Sequence, residues 1–400
     1  MTKRLKSLLR RMTEGAFGLS AGVSSLAIIL ISIFMFSEGA GLFSAPAVEE
    51  HYGLYVHSAN RVPGFSIEEC KRFFDHEIKN WSELGGADAE IELLTIDDII
   101  SICGEEALGD NYEHLPRLIA ETMAQHPYAL AFLPDEYVQP SPVIRAIDMG
   151  KVLPRDFFGG QAWMPTAVPV PLFGALPLIL GTLLVSVLAI VIALPLGLSV
   201  AIYLSELASP LVRRILRPTL ELLAGIPSVV YGFWGLTVLV PWIQQAWSLP
   251  VGETALAGGI LLAIMALPTI ISVAQDAIQN VPQSLREASL SLGATKWQSI
   301  YLVILPAARS GIFTASILGI GRAVGETMAV LMVTGNAALI PHSVFDSVRT
   351  IPATIAAELG EVPIGGAHYQ ALFILGAILF VSTMLMSLAS EFVSRRSQKL

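Results

Sequence analysis

Long uncharged runs dominate the hydrophobic pattern of the 400-residue chain, in place of the short alternations of a soluble domain. Residues 17–37, 171–205, 222–247, 254–275, 310–335 and 369–390 are each apolar over about 20 or more positions, the length a helix needs to cross roughly 30 Å of hydrocarbon. About six membrane-spanning helices are therefore predicted. The run at 171–205 is longer than one crossing, and Pro177 and Pro195 within it predict a bend or an interfacial turn. The first run ends in Phe36-Ser37-Glu38 without a small-x-small cleavage pattern, so it reads as a retained helix rather than a secretory signal.

The segment between the first two runs follows different rules. Ile67, Cys70, Phe73, Phe74 and Ile78 have helical spacing over residues 66–79, with Ser66 and Glu69 in capping-box positions. Residues 91–94 and 128–133 read as short strands and 115–125 as a further helix. The expected architecture is an all-α polytopic membrane protein with a small α/β insert between helices 1 and 2. Residues 1–37 supply an N-terminus and first helix, 38–168 the insert, and 169–400 a core of five helices. Cys70 and Cys103, the only cysteines, both fall in the insert, and the sequence leaves open whether they form a disulfide or remain free thiols.

Composition supports this division. Hydrophobic residues make up 54% of the chain and charged residues 14%, too apolar for a soluble protein. Residues 38–165 hold 22 acidic and 8 basic side chains, whereas the remainder is mildly basic, so the net charge of −9 conceals an acidic insert joined to a basic membrane part. The acidity suits a solvated domain, and no nucleic-acid footprint is present. Basic residues cluster in alternate loops: Lys3, Arg4, Lys6, Arg10 and Arg11; Arg213, Arg214 and Arg217; Arg286, Lys296 and Arg309; Arg395, Arg396 and Lys399. The positive-inside rule then predicts cytoplasmic termini and an insert on the opposite, periplasmic side of a bacterial inner membrane.

The most informative segment is the basic loop at 279–306. Pro282 and Ser284 favour a helix start and Gly293 a stop, predicting a short helix along the membrane with Ala288 and Leu292 on a shallow face and Arg286 and Glu287 available to a partner. Glu287-Ala288-Ser289, three residues, Gly293, nine residues and then Val303-x-Leu305-Pro306 resembles the EAA loop of bacterial ABC-importer permeases, with Ser289 in place of the usual second Ala and Val303 in place of Ile. The resemblance implies a type I importer permease whose Arg286, Glu287, Ala288 and Gly293 dock a separate ATPase subunit pair. The chain has no G-x-x-x-x-G-K-[ST] phosphate loop of its own, so an ATP-driven cycle calls for that partner.

Further segments resemble phosphate-importer permeases of the PstC type. They are Gly225-Ile226-Pro227-Ser228-Val229-Val230-Tyr231-Gly232, the stretch from Gly321-Arg322-Ala323-Val324-Gly325-Glu326-Thr327 to Gly335-Asn336, Ile351-Pro352-Ala353-Thr354-Ile355-Ala356 and His368-Tyr369-Gln370-Ala371-Leu372-Phe373. This resemblance covers residues 171–400 and, more loosely, the first helix. It implies a non-enzymatic subunit that needs no cofactor, partnered by a PstA-type second permease, the ATPase pair, a periplasmic phosphate-binding protein and membrane lipid. Residues 65–88 of the insert, with Asn80-Trp81, resemble part of a phosphate-binding-protein lobe. Such permeases ordinarily have a much shorter link there.

Arg322 and Glu326 stand in an apolar run, where an ionised side chain costs at least ~2.5–3.5 kcal/mol. On a continuous helix, four residues apart, they share a face and can pair. One reading is a structural pair; the other is a charged lining of the substrate path, Arg322 attracting an oxyanion by bidentate hydrogen bonds and Glu326 preventing too deep a trap. Gly319, Gly321 and Gly325 are expected to allow close helix approach. Glu206, Glu253 and Asp276 read as interfacial, and His51, His57, His76, His114 and His126 lack metal-ligand spacing. Alternatives to phosphate are another oxyanion such as molybdate or sulfate, or a membrane receptor whose insert senses a ligand.

Overall fold

The computed structural model describes residues 3–397 apart from 50, 63, 65, 76, 105–106 and 110–111, so Phe65, His76 and Lys399 of the sequence reading lie outside the described residues. The chain divides into a membrane unit (Met1–Ala40, Gln161–Trp163 and Ala175–Leu400) and a second unit (Gly41–Gly160 and Met164–Gly174).

The first helix, α1 (Lys3–Ala40), precedes the second unit. That unit is built on a four-stranded mixed sheet of order β2-β3-β1-β4, from β1 (Tyr52–His57), β2 (Glu92–Thr95), β3 (Ala129–Pro134) and β4 (Ile144–Ile147). β1 runs antiparallel to β3 and β4, while β2 and β3 are parallel, a pairing that requires a crossover. The crossover is made by α3 (Ile96–Cys103) and α4 (Leu115–Gln125), and α2 (Ile67–Phe74) and α5 (Pro154–Gly159) complete the unit. As the spacing predicts, Ser66 and Glu69 form a capping box that starts α2, and Asn80 caps the Trp81–Leu84 turn in the same way.

The period of two along β1 and β3 divides the core. Leu54, Val56, Leu130 and Phe132 face a cluster with Cys70, Phe73 and Trp81, whereas Tyr55, Ala129, Ala131 and Leu133 face Ile99, Leu115, Ile119 and Met123, with Cys103 packed against them. The two cysteines are therefore on opposite sides of the sheet and are free. Burial pushes the Cys70 thiol up to about 12. β1 and β4 escaped the sequence reading, although β4 lies between the turn residues Pro140-Ser141-Pro142 and Asp148-Met149-Gly150.

In the membrane unit the helices are α6 (Leu176–Ile202), α7 (Pro210–Ala224), α8 (Ser228–Trp234), α9 (Val240–Ala246), α10 (Ala255–Gln279), α11 (Gln283–Ser291), α12 (Lys296–Ser299), α13 (Leu305–Val324), α14 (Met328–Val333), α15 (Ile351–Glu358) and α16 (Ala367–Ser397). Single π turns at Tyr203–Leu207, Gly235–Leu239 and Ile300–Ile304 extend α6, join α8 to α9 and join α12 to α13. Among the described residues five helices are long and apolar enough to cross a membrane, or six if α7 and the α8–α9 rod are counted as one broken span.

Two predicted spans differ in outline. The run at 222–247 is not one helix: Pro227 is extended (ψ 141°) and breaks the chain, and the helices on either side meet at 93°. The run at 310–335 is likewise interrupted, and its helix begins earlier, at Lys296, because Arg309 is a single exposed charge on a continuous helix rather than a loop residue. At the centre, α10 packs on α6 and α13. A Cβ at Gly259 would come within 2.6 Å of Leu188 Cβ, and one at Gly319 within 2.7 Å of Ile270 Cγ1, so these glycines set the helix separations. Gly321 faces open space, and a Cβ at Gly325 would meet only the Gly321 carbonyl at 3.4 Å, so neither makes the expected close approach.

Candidate functional site

Two places in the membrane unit concentrate polar chemistry. The first is the 279–306 loop. Pro282 stands before α11, whose last turn closes through Leu292, and Gly293 follows at φ +86°, the left-handed conformation that a C-terminal glycine supplies at little cost. Thr295 and Gln298 form a capping box that restarts the chain as α12. Glu287 and Ala288 are exposed, with Leu285, Leu290, Leu292 and Trp297 also facing outward. The result is an apolar surface with one carboxylate, that of Glu287, which has no ion pair among the described residues.

Arg286 does something else. Its guanidinium forms an ion pair with Glu206 in the π turn after α6, and Nη2 donates to the Ile278 carbonyl at 2.6 Å. Both side chains are largely buried, at 18% and 9% exposure. The expectation that Arg286 is free to pair with a partner is therefore corrected: its charge already serves to clamp α11 to the ends of α6 and α10. Glu206 is correspondingly not a bystander at the interface. Ser289, where the family motif has Ala, is buried and bonded to Ser299 Oγ at 2.6 Å, tying α11 to α12.

The second place is the break after α13. The helix ends at Val324, Gly325 closes it through the Gly321 carbonyl at 3.2 Å, and residues 325–327 are non-helical before α14. The 3.6-residue period stops between Arg322 and Glu326, so the shared helix face expected of them does not exist and no ion pair joins them among the described residues. Arg322 instead donates to Thr269 Oγ1 of α10 at 3.1 Å, and both charged side chains are only partly buried. Beside the break lies an open groove of about 530 Å³ lined by Gly325, Thr327, Pro352, Ile355 and Leu379 among others. Non-helical backbone at membrane depth is tolerated where it is buried in protein or lines such a space.

A third cluster was not foreseen. Glu358, at the end of α15, accepts hydrogen bonds from Trp163 Nε1 at 3.0 Å and from Arg349 Nη1 and His368 Nε2, each at 2.8 Å. Burial raises its carboxyl pKa, but the hydrogen bonds from His368 and Trp163 and the positive charge of Arg349 outweigh that and hold it below the usual carboxylate range. Arg349 and Glu358 are two of the few charges in residues 336–368, which was the available signal. Among the described residues no three His, Cys, Asp or Glu side chains converge as metal ligands.

Comparisons with known proteins find relatives of the membrane part of the chain. A family profile described as "Binding-protein-dependent transport system inner membrane component" matches residues 193–399. The probable ABC transporter permease protein YqgH of Bacillus subtilis is 44% identical over 245 residues, covering 61% of this chain and 79% of that protein. The phosphate transport system permease protein PstC of Mesorhizobium japonicum is 39% identical over 259 residues, covering 60% and 78%. Among solved structures, a chain of the MetNI methionine ABC transporter in an inward-facing conformation aligns with 56% of this chain and 94% of its own length, at 19% identity and a TM-score of 0.43.

Proposed function

Because the chain belongs to the binding-protein-dependent transport system inner membrane components, a family of multi-pass ABC-importer permease subunits, we propose that it is a PstC-type subunit that conducts inorganic phosphate. The observation that carries the reading is Arg322: a guanidinium in a membrane span, without an ion pair among the described residues and two residues before a broken helix. Such a group is expensive to keep at that depth unless an anion uses it. Its planar fork suits a tetrahedral oxyanion, and Glu326 beyond the break keeps the anion from binding too tightly to leave. The names of the PstC relatives supply phosphate as the cargo, and the YqgH relative's name supplies none.

Energy enters through α11. Its exposed face, with Glu287, Ala288 and the outward leucines, offers a docking surface for one of a pair of ATPase subunits, and Gly293 gives the turn that presents it. The clamp from Arg286 to Glu206 makes α11 move with the ends of α6 and α10 rather than independently, which is how closure of the ATPases would reach the path. A PstA-type permease completes the path. The α/β unit, read from the basic loops as periplasmic, is in this proposal a degenerate binding-protein lobe that docks the true phosphate-binding protein or caps the pore. Replacing residues 48–155 by a short linker tests that role, and unchanged uptake at low phosphate would exclude it.

The deciding experiment is radiolabelled phosphate uptake in cells lacking this chain, complemented with wild type or Arg322→Gln, with molybdate and sulfate as competitors. Restoration by wild type alone, resistant to both competitors, is the expected result. A folded complex with its ATPase that restores no phosphate uptake would discard phosphate and leave another oxyanion as cargo.

A further inference from the structure

Helix α7 is amphipathic, and none of its residues is buried within the chain. Ser209 caps it by accepting from the Val212 amide, and Pro210 opens it, so the sequence builds a firm start here rather than a loop. Leu211, Ile215, Pro218 and Leu222 recur at helical spacing along one line, and the three aliphatic residues are 68%, 58% and 75% exposed. Arg214, Arg217 and Glu221 follow on the adjoining flank. Arg217 shares Glu221 at 3.4 Å, while Arg214 has no ion pair among the described residues. The helix meets the α8–α9 rod at 93°, the angle of a helix lying along the bilayer plane when that rod crosses the bilayer.

An exposed apolar line beside a basic flank, on a helix perpendicular to a span, is the form of an interfacial helix that sinks aliphatic side chains into the acyl boundary and leaves arginines at the headgroups. We propose that α7 is a binding surface for anionic phospholipid, with Leu211, Ile215 and Leu222 in the acyl boundary and Arg214 and Arg217 at the phosphate level. Charge complementarity selects this occupant: the outward face of α7 carries Arg214 and Arg217 against Glu221, a net positive charge, and a purely apolar partner helix would leave Arg214 stranded. The proposal does not depend on the cargo.

The surface is wired to the docking helix. Arg213 of α7 turns inward, donating from Nε to the Leu204 carbonyl at 2.8 Å and from Nη2 to the Ser205 carbonyl at 3.0 Å. The next residue of that π turn is Glu206, which pairs with Arg286 of α11. Lipid-bound α7 and ATPase-facing α11 therefore hold the same short turn from two sides.

The test uses the assembled transporter in nanodiscs, with a fluorescent amino acid in place of Leu222. The discs contain phosphatidylcholine and phosphatidylglycerol in equal parts, with a nitroxide quencher carried on one lipid or the other, and aqueous iodide as a separate quencher. We expect quenching by lipid-borne nitroxide and not by iodide, with the phosphatidylglycerol label favoured over the phosphatidylcholine label. That preference is expected to fall by about fivefold for each arginine removed in Arg214→Gln and Arg217→Gln, and to survive in the Arg214→Lys/Arg217→Lys variant. Protection from both quenchers would mean that a protein partner covers the line and would overturn the proposal. Iodide quenching would overturn it as an aqueous surface, and lipid quenching without headgroup preference would overturn the anionic selectivity.

Discussion

Arg286 and Arg322 lie 36 positions apart in the sequence, yet the structure treats their charges in opposite ways. Arg286 is satisfied twice, by the Glu206 carboxylate and the Ile278 carbonyl, both belonging to its own chain. Among the described residues Arg322 has a single neutral side-chain partner, Thr269 Oγ1, and its neighbour Glu326 lies beyond a helix break. A buried charge whose hydrogen-bonding capacity is filled internally holds the fold, and one left with capacity to spare is available to a ligand. The comparison thus separates an arginine held within the fold from one proposed to serve the substrate path.

The largest effect expected from breaking the comparison is on its satisfied side. Arg286→Ala leaves Glu206 as a buried carboxylate without its counter-charge, a loss typically of about 3–5 kcal/mol. The expected outcome is a lower unfolding temperature in detergent and poor recovery of the complex with its ATPase. Exchanging the two charges, Glu206→Arg with Arg286→Glu, is expected to rescue only in part, because a carboxylate at position 286 cannot donate to the Ile278 carbonyl. Full rescue would mean that the ion pair alone matters.

On the unsatisfied side the expected signature is reversed. Arg322→Gln removes a weakly held side chain, so the complex should assemble and melt as wild type. Uptake should nevertheless fall on the order of 100-fold, the loss of about two charge-assisted hydrogen bonds to the passing anion. A variant that instead melts early would place Arg322 with the structural group and remove the main support for an anion path here.

How much of this was legible beforehand follows the same division. Apolar runs announced the spans because the bilayer imposes a length, and the 282–293 helix was readable because Pro282 and Gly293 punctuate it locally. The insert's α2 was equally plain from capping and spacing, and α4 was read as a helix over the residues it occupies, 115–125. What could not be read were the relations between distant segments: Glu206 with Arg286 across 80 positions, Trp163 with Glu358 across 195, and Arg322 with Thr269 across 53. The break at 325–327 was also missed, since glycines such as Gly325 within a strongly apolar run are tolerated in many helices and signal an interruption only weakly.

The Glu358 cluster sharpens the comparison as an intermediate case, a carboxylate satisfied three times outside the candidate spans. Its pKa is depressed, so its contribution to stability is complete above the unfolded-state value of about 4.3 and is lost as pH falls through the lower folded value. Acid melting of wild type should therefore steepen below about pH 4 relative to Glu358→Gln, which has already lost the charge. Parallel acid profiles for the two proteins would show that the cluster's hydrogen bonds, and not its ionisation, hold α15 in place.

The smallest effect is expected at Ser289, where the family motif's alanine has been replaced. The hydroxyl is buried, donates to the Arg286 carbonyl at 2.8 Å and meets Ser299 Oγ at 2.6 Å. Ser289→Ala restores the usual residue but leaves Ser299 Oγ, itself 3% exposed, short of that partner. A cost of about 1 kcal/mol in melting follows, and the double variant Ser289→Ala/Ser299→Ala should recover most of it, because removing both polar groups leaves nothing unsatisfied. Transport coupling should be unchanged in both, since neither side chain reaches the exposed face of α11. A double variant as unstable as the single one would show that Ser299 is satisfied elsewhere and that the serine at 289 contributes by its volume rather than by this bond.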